Sequence, residues 1–224
     1  MRPPAQFPSF LCTIPNDNHQ SLAMAELVRQ FGWVWIGTIA ADDDYGKYGI
    51  KYFKQNVEKS GICIAFSETI PKIYSRRKIL AVVEAIKKST ANIIVVCSSD
   101  IDLSPLMDEI AHSNITGKTW IASEAWVTSA LIAKPEYFSF LGGTIGFGVW
   151  RGFRVAVKID DNGDVYVTYD IINWQLNETG EISFVKIGMY NDIKDGHEMK
   201  IYNNDSIFWN TPILKVSNLC IFSS

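Results

Sequence analysis

Gly37-Thr38-Ile39-Ala40-Ala41-Asp42-Asp43-Asp44-Tyr45-Gly46-Lys47-Tyr48-Gly49 joins an apolar run, Trp33–Ile39, to a segment whose Ile50, Phe53 and Val57 recur at helical spacing. The run reads as a buried strand and the segment as the inner face of a helix. Between them lie three carboxylates, a phenol and glycine. In a parallel sheet, a strand, an acidic turn and a helix present polar groups to a ligand at the strand's carboxyl end.

Before this stretch, residues 1–17 are punctuated by Pro3, Pro4, Pro8 and Pro15, and then Asn16, Asp17 or Asn18 caps a helix carrying Leu22, Ala25, Val28 and Phe31. Gly32 stops that helix. After the acidic turn, Lys47, Lys51, Lys54 and Glu58 fall opposite the apolar face, Gly61 ends the helix, and Ile62–Phe66 is the next strand. Ser75 caps a third helix with Ile79, Val82, Val83 and Ile86 on one face. Asn92–Cys97 is β-branched without alternation, as in a strand covered on both faces. A fourth helix carries Leu103, Leu106, Met107 and Ile110, with Pro105 expected in its first turn and Gly117 at its end; Thr119–Ala122 is then a strand closed by Ser123-Glu124. Such β-α repetition predicts an α/β fold, a parallel sheet with helices on both faces. From Gly142 onward the pattern changes to strands at Thr144–Val149, Val165–Trp174, Glu181–Tyr190 and Met199–Tyr202, separated by turn sequences that predict antiparallel hairpins.

Composition limits the function. The chain has 224 residues, 47% of them hydrophobic, and a net charge of -3, which gives no basic field for nucleic acid. No apolar run reaches the roughly 20 residues that span a bilayer, and the start lacks the apolar core of a signal peptide. The four cysteines show neither CxxC nor zinc spacing, and Cys97 sits in an apolar run as a core residue. Three sequons, at Asn114, Asn177 and Asn204, point toward the secretory pathway and glycosylation.

The sequence places Asp42-Asp43-Asp44-Tyr45, Ser98-Ser99-Asp100 and Ser123-Glu124 each after a strand of one sheet. Taken singly, each serves as a helix cap or turn. Together they line one crevice, where carboxylates, hydroxyls and a phenol suit a ligand bearing an ammonium, or a hard cation. A phosphate does not fit, since there is no Gly-rich loop or P-loop lysine. No G-x-S-x-G or H-E-x-x-H occurs, and His19, His112 and His197 are scattered, so an enzyme is not expected.

Several stretches resemble the extracellular domain of class C G-protein-coupled receptors, in particular the calcium-sensing and fish vomeronasal type-2 (olfactory) branches. These are residues 7–11 (FPSFL), 13–17 (TIPND), GTIAADDDYG from Gly37, NITGK from Asn114, ASEAW from Ala122, GGTIGF from Gly142 and YDIINW from Tyr169. The resemblance implies the second lobe of a periplasmic-binding-protein-like (Venus-flytrap) module over 1–148. A β-rich antiparallel remnant over 149–224 resembles the end of the ligand-binding region before the cysteine-rich domain. It implies ligand contacts from Asp17, Asp43, Tyr45, Ser99 and Glu124: Tyr45 as the aromatic lining an amino-acid site, Asp17 and Glu124 near the ligand ammonium and Ca2+, Ser99 as a backbone contact, and Asp43 at the rim. Ca2+ is the one cofactor it allows. It further implies an amino acid or Ca2+ as ligand, a receptor dimer, and a G protein reached through a seven-helix domain, with the whole at the plasma membrane facing outward. On this reading the chain is a fragment lacking most of the first lobe, and Cys63 lacks the partner it has in the cysteine-rich domain. The alternative is a soluble periplasmic-type amino-acid-binding protein or a secreted decoy receptor.

Overall fold

In the computed structural model, residues 17–149, 168–193, 196–202 and 204–210 are described, and the structural statements below concern them. The helices are α1 (Asp17–Gln30), α2 (Asp44–Val57), α3 (Arg76–Lys88), α4 (Asp100–His112) and the short α5 (Glu124–Val127) and α6 (Phe138–Leu141). The strands are β1 (Trp35–Ala41), β2 (Cys63–Ile70), β3 (Ile93–Cys97), β4 (Thr119–Ala122), β5 (Ile145–Val149), β6 (Thr168–Leu176), β7 (Ile182–Ile193) and β8 (Gly196–Ile201).

All eight strands form one sheet in the order β2-β1-β3-β4-β5-β6-β7-β8. The first five are parallel, as the β-α repetition predicts; β6, β7 and β8 add antiparallel to β5. The chain runs from β1 out to β2 and returns to β3 on the other side of β1. The crossovers therefore go to opposite faces, leaving a crevice beyond the carboxyl ends of β1 and β3. Helices α1 and α2 pack on one face, with Met24, Leu27, Phe53 and Tyr169 in its core. Helices α3 and α4 cover the other, around Val83, Leu106, Trp120 and Trp126.

Element boundaries depart from the sequence reading where backbone groups are used elsewhere. Strand β1 begins at Trp35 rather than Trp33 because α1 ends in a Schellman turn: the Gly32 N–H donates to Arg29 O and the Trp33 N–H to Val28 O. Gly32 takes a φ of +68° there. Helix α4 ends the same way at Asn114, not at Gly117. The Asn114 N–H donates to Ala111 O, the Ile115 N–H donates to Ile110 O, and Asn114 has a φ of +50°. Pro105 lies in the second turn of α4 instead of the first, since Ser99 is the N-cap. It thus removes the helical bond to the carbonyl of Ile101. Strand β2 continues past Phe66 to Ile70 because its polar residues sit on an edge strand. Cys63 is disulfide-bonded, to a cysteine outside the described residues, which corrects the expectation that it lacks a partner.

Gly46 lets α2 start hard against β1. A Cβ there would stand 2.4 Å from Ala41 N and 2.5 Å from Ala41 O, both backbone atoms that cannot turn away. Gly46→Ala is expected to cost about 2 kcal/mol and to lower the melting midpoint by roughly 4–8 °C, measured by thermal denaturation followed by circular dichroism. An unchanged midpoint would show that α2 can shift away from β1.

Candidate functional site

The crevice brings together groups from five elements. Tyr45, in the first turn of α2, is half-buried, and its hydroxyl donates to Gln20 Oε1 of α1 at 3.0 Å. The same phenol meets the Ser123 side chain at the end of β4. Ser98 and Ser123 are buried beneath it; the Ser98 hydroxyl donates to Ser99 O, and Ser123 Oγ lies 3.4 Å from Ser98 O. Burial above all pushes the Tyr45 phenol up, with Asp17 and Glu124 among the further causes, so it stays a neutral donor at physiological pH. Tyr169, buried on β6, is raised by burial first and then by Glu124, Asp17 and Tyr45. The charges of Asp17 and Glu124 thus act on both phenols.

Asp17 opens α1, and burial raises its carboxyl above the ordinary range. Glu124 opens α5 and is exposed. The Cys97 thiol, buried nearby, is pushed up to about 12 by burial and then by Asp17, so it is an inert core thiol as its sequence context predicts.

Asp43 and Ser99 stand at the crevice rim, where both side chains cap helices. Asp43 is the N-cap of α2, its Oδ1 accepting from the Gly46 N–H at 2.8 Å. Ser99 is the N-cap of α4; its Oγ accepts from the Asp102 N–H at 3.2 Å and donates to Asp102 Oδ2 at 2.7 Å. Lys72 joins the two caps, with Nζ 3.1 Å from Asp43 Oδ2 and 2.7 Å from Asp102 Oδ2. The strap ties the starts of α2 and α4 across the point where the crossovers diverge. Asp42 turns away from the strap to Lys47, 2.5 Å from its Nζ.

For Asp43, burial pushes the carboxyl up, but the Gly46 N–H and Lys72 together outweigh it and leave the group below its ordinary range. A depressed folded pKa contributes stability above the unfolded value and loses it as pH falls through the folded one. Stability is therefore expected to decline below about pH 4. Asp43→Asn, which can still cap α2 but cannot pair with Lys72, should flatten that limb. Denaturant midpoints from pH 2 to 7 check it, and an identical acid limb in the variant would exclude Asp43 as its source.

Gln20 and Tyr169 join the crevice without having been named from sequence as site residues, whereas Ser123 was read there from its place after a strand. For Gln20 a signal existed: it is a polar residue on the buried face of α1, beside Ala23, Met24 and Leu27. Among the described residues, no group of three or more His, Cys, Asp or Glu side chains is arranged to hold a metal. Asp17 and Glu124 supply hard oxygen donors, which fit the chemistry of Ca2+, but only part of the 6–8 oxygens that ion takes.

Residues 1–151 match the family described as receptor family ligand binding region. The chain is 58% identical over 147 residues to the extracellular calcium-sensing receptor of Bos taurus, covering 66% of this chain and 14% of that receptor. With the Homo sapiens extracellular calcium-sensing receptor it shares 56% identity over 157 residues, 68% of this chain and 15% of the receptor. It is also similar to G-protein coupled receptor family C group 6 member A of Homo sapiens, 38% identical over 152 residues, 66% of the chain and 16% of that protein. The chain thus matches about 14% to 16% of the length of these relatives.

Proposed function

The chain belongs to the receptor family ligand-binding region, a family of receptors and not of enzymes, and from that premise we propose that it forms one wall of a cleft that takes amino acids. The observation that supports this reading is the Tyr45 phenol at the carboxyl end of the sheet, held by Gln20 at 3.0 Å and by Ser123, with the charges of Asp17 and Glu124 acting on it. An α-ammonium would sit against the two carboxylates and the face of the Tyr45 ring. The ammonium would favour the ionised form of Asp17 against the burial that raises it, so affinity falls on acidification. Ca2+ is the second ligand of this reading, with Asp17 and Glu124 giving part of its oxygen shell.

In this reading, residues 1–148 are the second lobe of a Venus-flytrap module and 149–224 the end of the ligand-binding region. Asp43 and Ser99 act at the rim through the backbone they position. Closure of two lobes on the ligand would rearrange a receptor dimer and signal through a G protein, with this region outside the plasma membrane. The disulfide at Cys63 and the exposed sequon residues Asn114, Asn177 and Asn204 agree with an oxidising, glycosylating route. Among the described residues no helix is long and apolar enough to cross a membrane.

Calorimetric titration of the chain with neutral amino acids and with Ca2+ tests the reading. A single wall should bind more weakly than about 1 mM, or no tighter than roughly -4 kcal/mol, because flytrap affinity comes from two jaws closing. Sub-millimolar binding would instead favour the self-sufficient alternatives, a soluble amino-acid-binding protein or a secreted decoy.

A further inference from the structure

A second concavity lies along α2 and the edge strand β2, a groove of about 540 Å³. Its shape comes from a bulge. The β1–β2 register steps from Ile36↔Ile64 to Gly37↔Phe66, so Ala65 is one residue too many on β2. The extra residue resets the alternation of the strand. As a result Ile62 and Ile64, before the bulge, and Ser67 and Thr69, after it, all face the groove. Phe66 turns to the opposite face, where its ring fills the space beside Gly37.

The facing helix contributes Lys47, Lys51 and Lys54, which share one side of α2 at spacings of four and three. The floor is apolar, with Ile50, Val57 and Ile62 4%, 1% and 8% exposed. One end is thus greasy and one wall carries ammonium and hydroxyl groups. Lys47 is occupied by Asp42, whereas among the described residues Lys54 Nζ meets a neutral partner, donating to Ser67 Oγ at 2.6 Å. Burial, with no carboxylate among its causes, holds the Lys54 ammonium below its ordinary pKa. Lys51 is exposed, and no carboxylate of the described residues pairs with it within 4.0 Å. Among the described residues, Glu58 is the single carboxylate on the lining.

We propose that this groove binds a small amphipathic organic anion, its apolar part on Ile50, Val57, Ile62 and Ile64 and its acidic group between Lys51, Lys54 and the Ser67 and Thr69 hydroxyls. The volume falls within the roughly 300–1,000 Å³ usual for small-molecule sites. The charge pattern selects the sign of the ligand, and the apolar floor selects for a hydrocarbon portion. The site is separate from the crevice, which is acidic and would repel such a ligand.

Octanoate is the probe, titrated calorimetrically into the full chain at low salt, with octylammonium as the charge control and inorganic phosphate as the control without a tail. Octanoate should bind measurably more tightly than either control. Lys51→Gln with Lys54→Gln should weaken it at least tenfold at an unchanged melting midpoint; Lys51→Gln alone, at an exposed position, should weaken it severalfold if the double variant does not fold. Tyr45→Ala should leave octanoate affinity unaltered. Equal affinity for octylammonium or phosphate, no loss in the glutamine variants, or loss in Tyr45→Ala each overturns the proposal.

Discussion

Trp126→Ala is expected to remove about 4 kcal/mol of folding stability, a large share of the 5–15 kcal/mol typical of a domain. Trp126 lies on α5, fully buried, and its indole N–H donates to Val96 O of β3 at 3.2 Å. Its ring meets Trp174 of β6 edge-on, with centroids 5.9 Å apart. Trp174 in turn donates its indole N–H to Val127 O at 2.8 Å, and its backbone N–H to Thr144 O at 2.9 Å. The two rings therefore staple the parallel β-α units to the antiparallel strands, and each satisfies its own polar atom in doing so. Alanine opens a ring-sized cavity and leaves the Val96 carbonyl without its indole donor. Urea denaturation should report the loss, with a midpoint in heat lowered by roughly 8–16 °C. Trp126→Phe keeps most of the packing and should cost about 1 kcal/mol, the worth of one hydrogen bond, because Val96 O still accepts from the Ser123 N–H at 3.2 Å. A cost below about 1 kcal/mol for alanine would mean that the two halves of the sheet do not depend on this contact.

The staple also shows which parts of the fold could be read in sequence. Helix α3 was legible because its local signals agree: Ser75 at the cap, then Ile79, Val82, Val83 and Ile86 on the buried face. Boundaries were not legible where a backbone group had a tertiary use. Trp33 reads as strand from its neighbours, yet its N–H closes α1. Ser67, Glu68 and Thr69 fall outside the strand read as Ile62–Phe66 because nothing local says that they pair with β1. In the crevice, the carboxyl ends of the strands followed from the β-α order alone, and so did the loops that meet there. What could not follow was the work of each side chain. Asp43 and Ser99 are polar residues at strand ends whether they touch a ligand or cap a helix, and only coordinates reveal the Lys72 strap that engages Asp43 directly and Ser99 through Asp102. Tyr169 enters from a strand more than a hundred residues after Tyr45, a contact set by sheet register that no local pattern encodes.

For ligand binding, the largest expected effect belongs to Tyr45. Its hydroxyl is held by Gln20 from α1 and meets Ser123 from β4, so the ring is fixed in orientation from two directions before any ligand arrives. A ring so held presents its face to a cation without a further entropic cost on binding. A contact of an ammonium with a partly desolvated aromatic face contributes about 0.5–2 kcal/mol. If the crevice takes amino acids as proposed, then in a chain that supplies the opposing wall Tyr45→Ala should weaken amino-acid binding about tenfold or more, the ring contact and the ordering of Gln20 being lost together. Tyr45→Phe keeps the face and frees Gln20, so its loss should be severalfold and smaller than that of alanine. The comparison separates two roles of one side chain. If phenylalanine costs as much as alanine, the hydroxyl and its hydrogen bonds carry the effect and the ring does not meet the ammonium. If neither variant changes affinity while the melting midpoint of the alanine variant falls, Tyr45 is a packing residue and the amino-acid reading of the crevice fails. Raising ionic strength supplies the last discrimination. Contacts with Asp17 and Glu124 weaken by screening, so salt should reduce affinity in the wild type and in Tyr45→Phe alike, leaving the ratio between them unchanged.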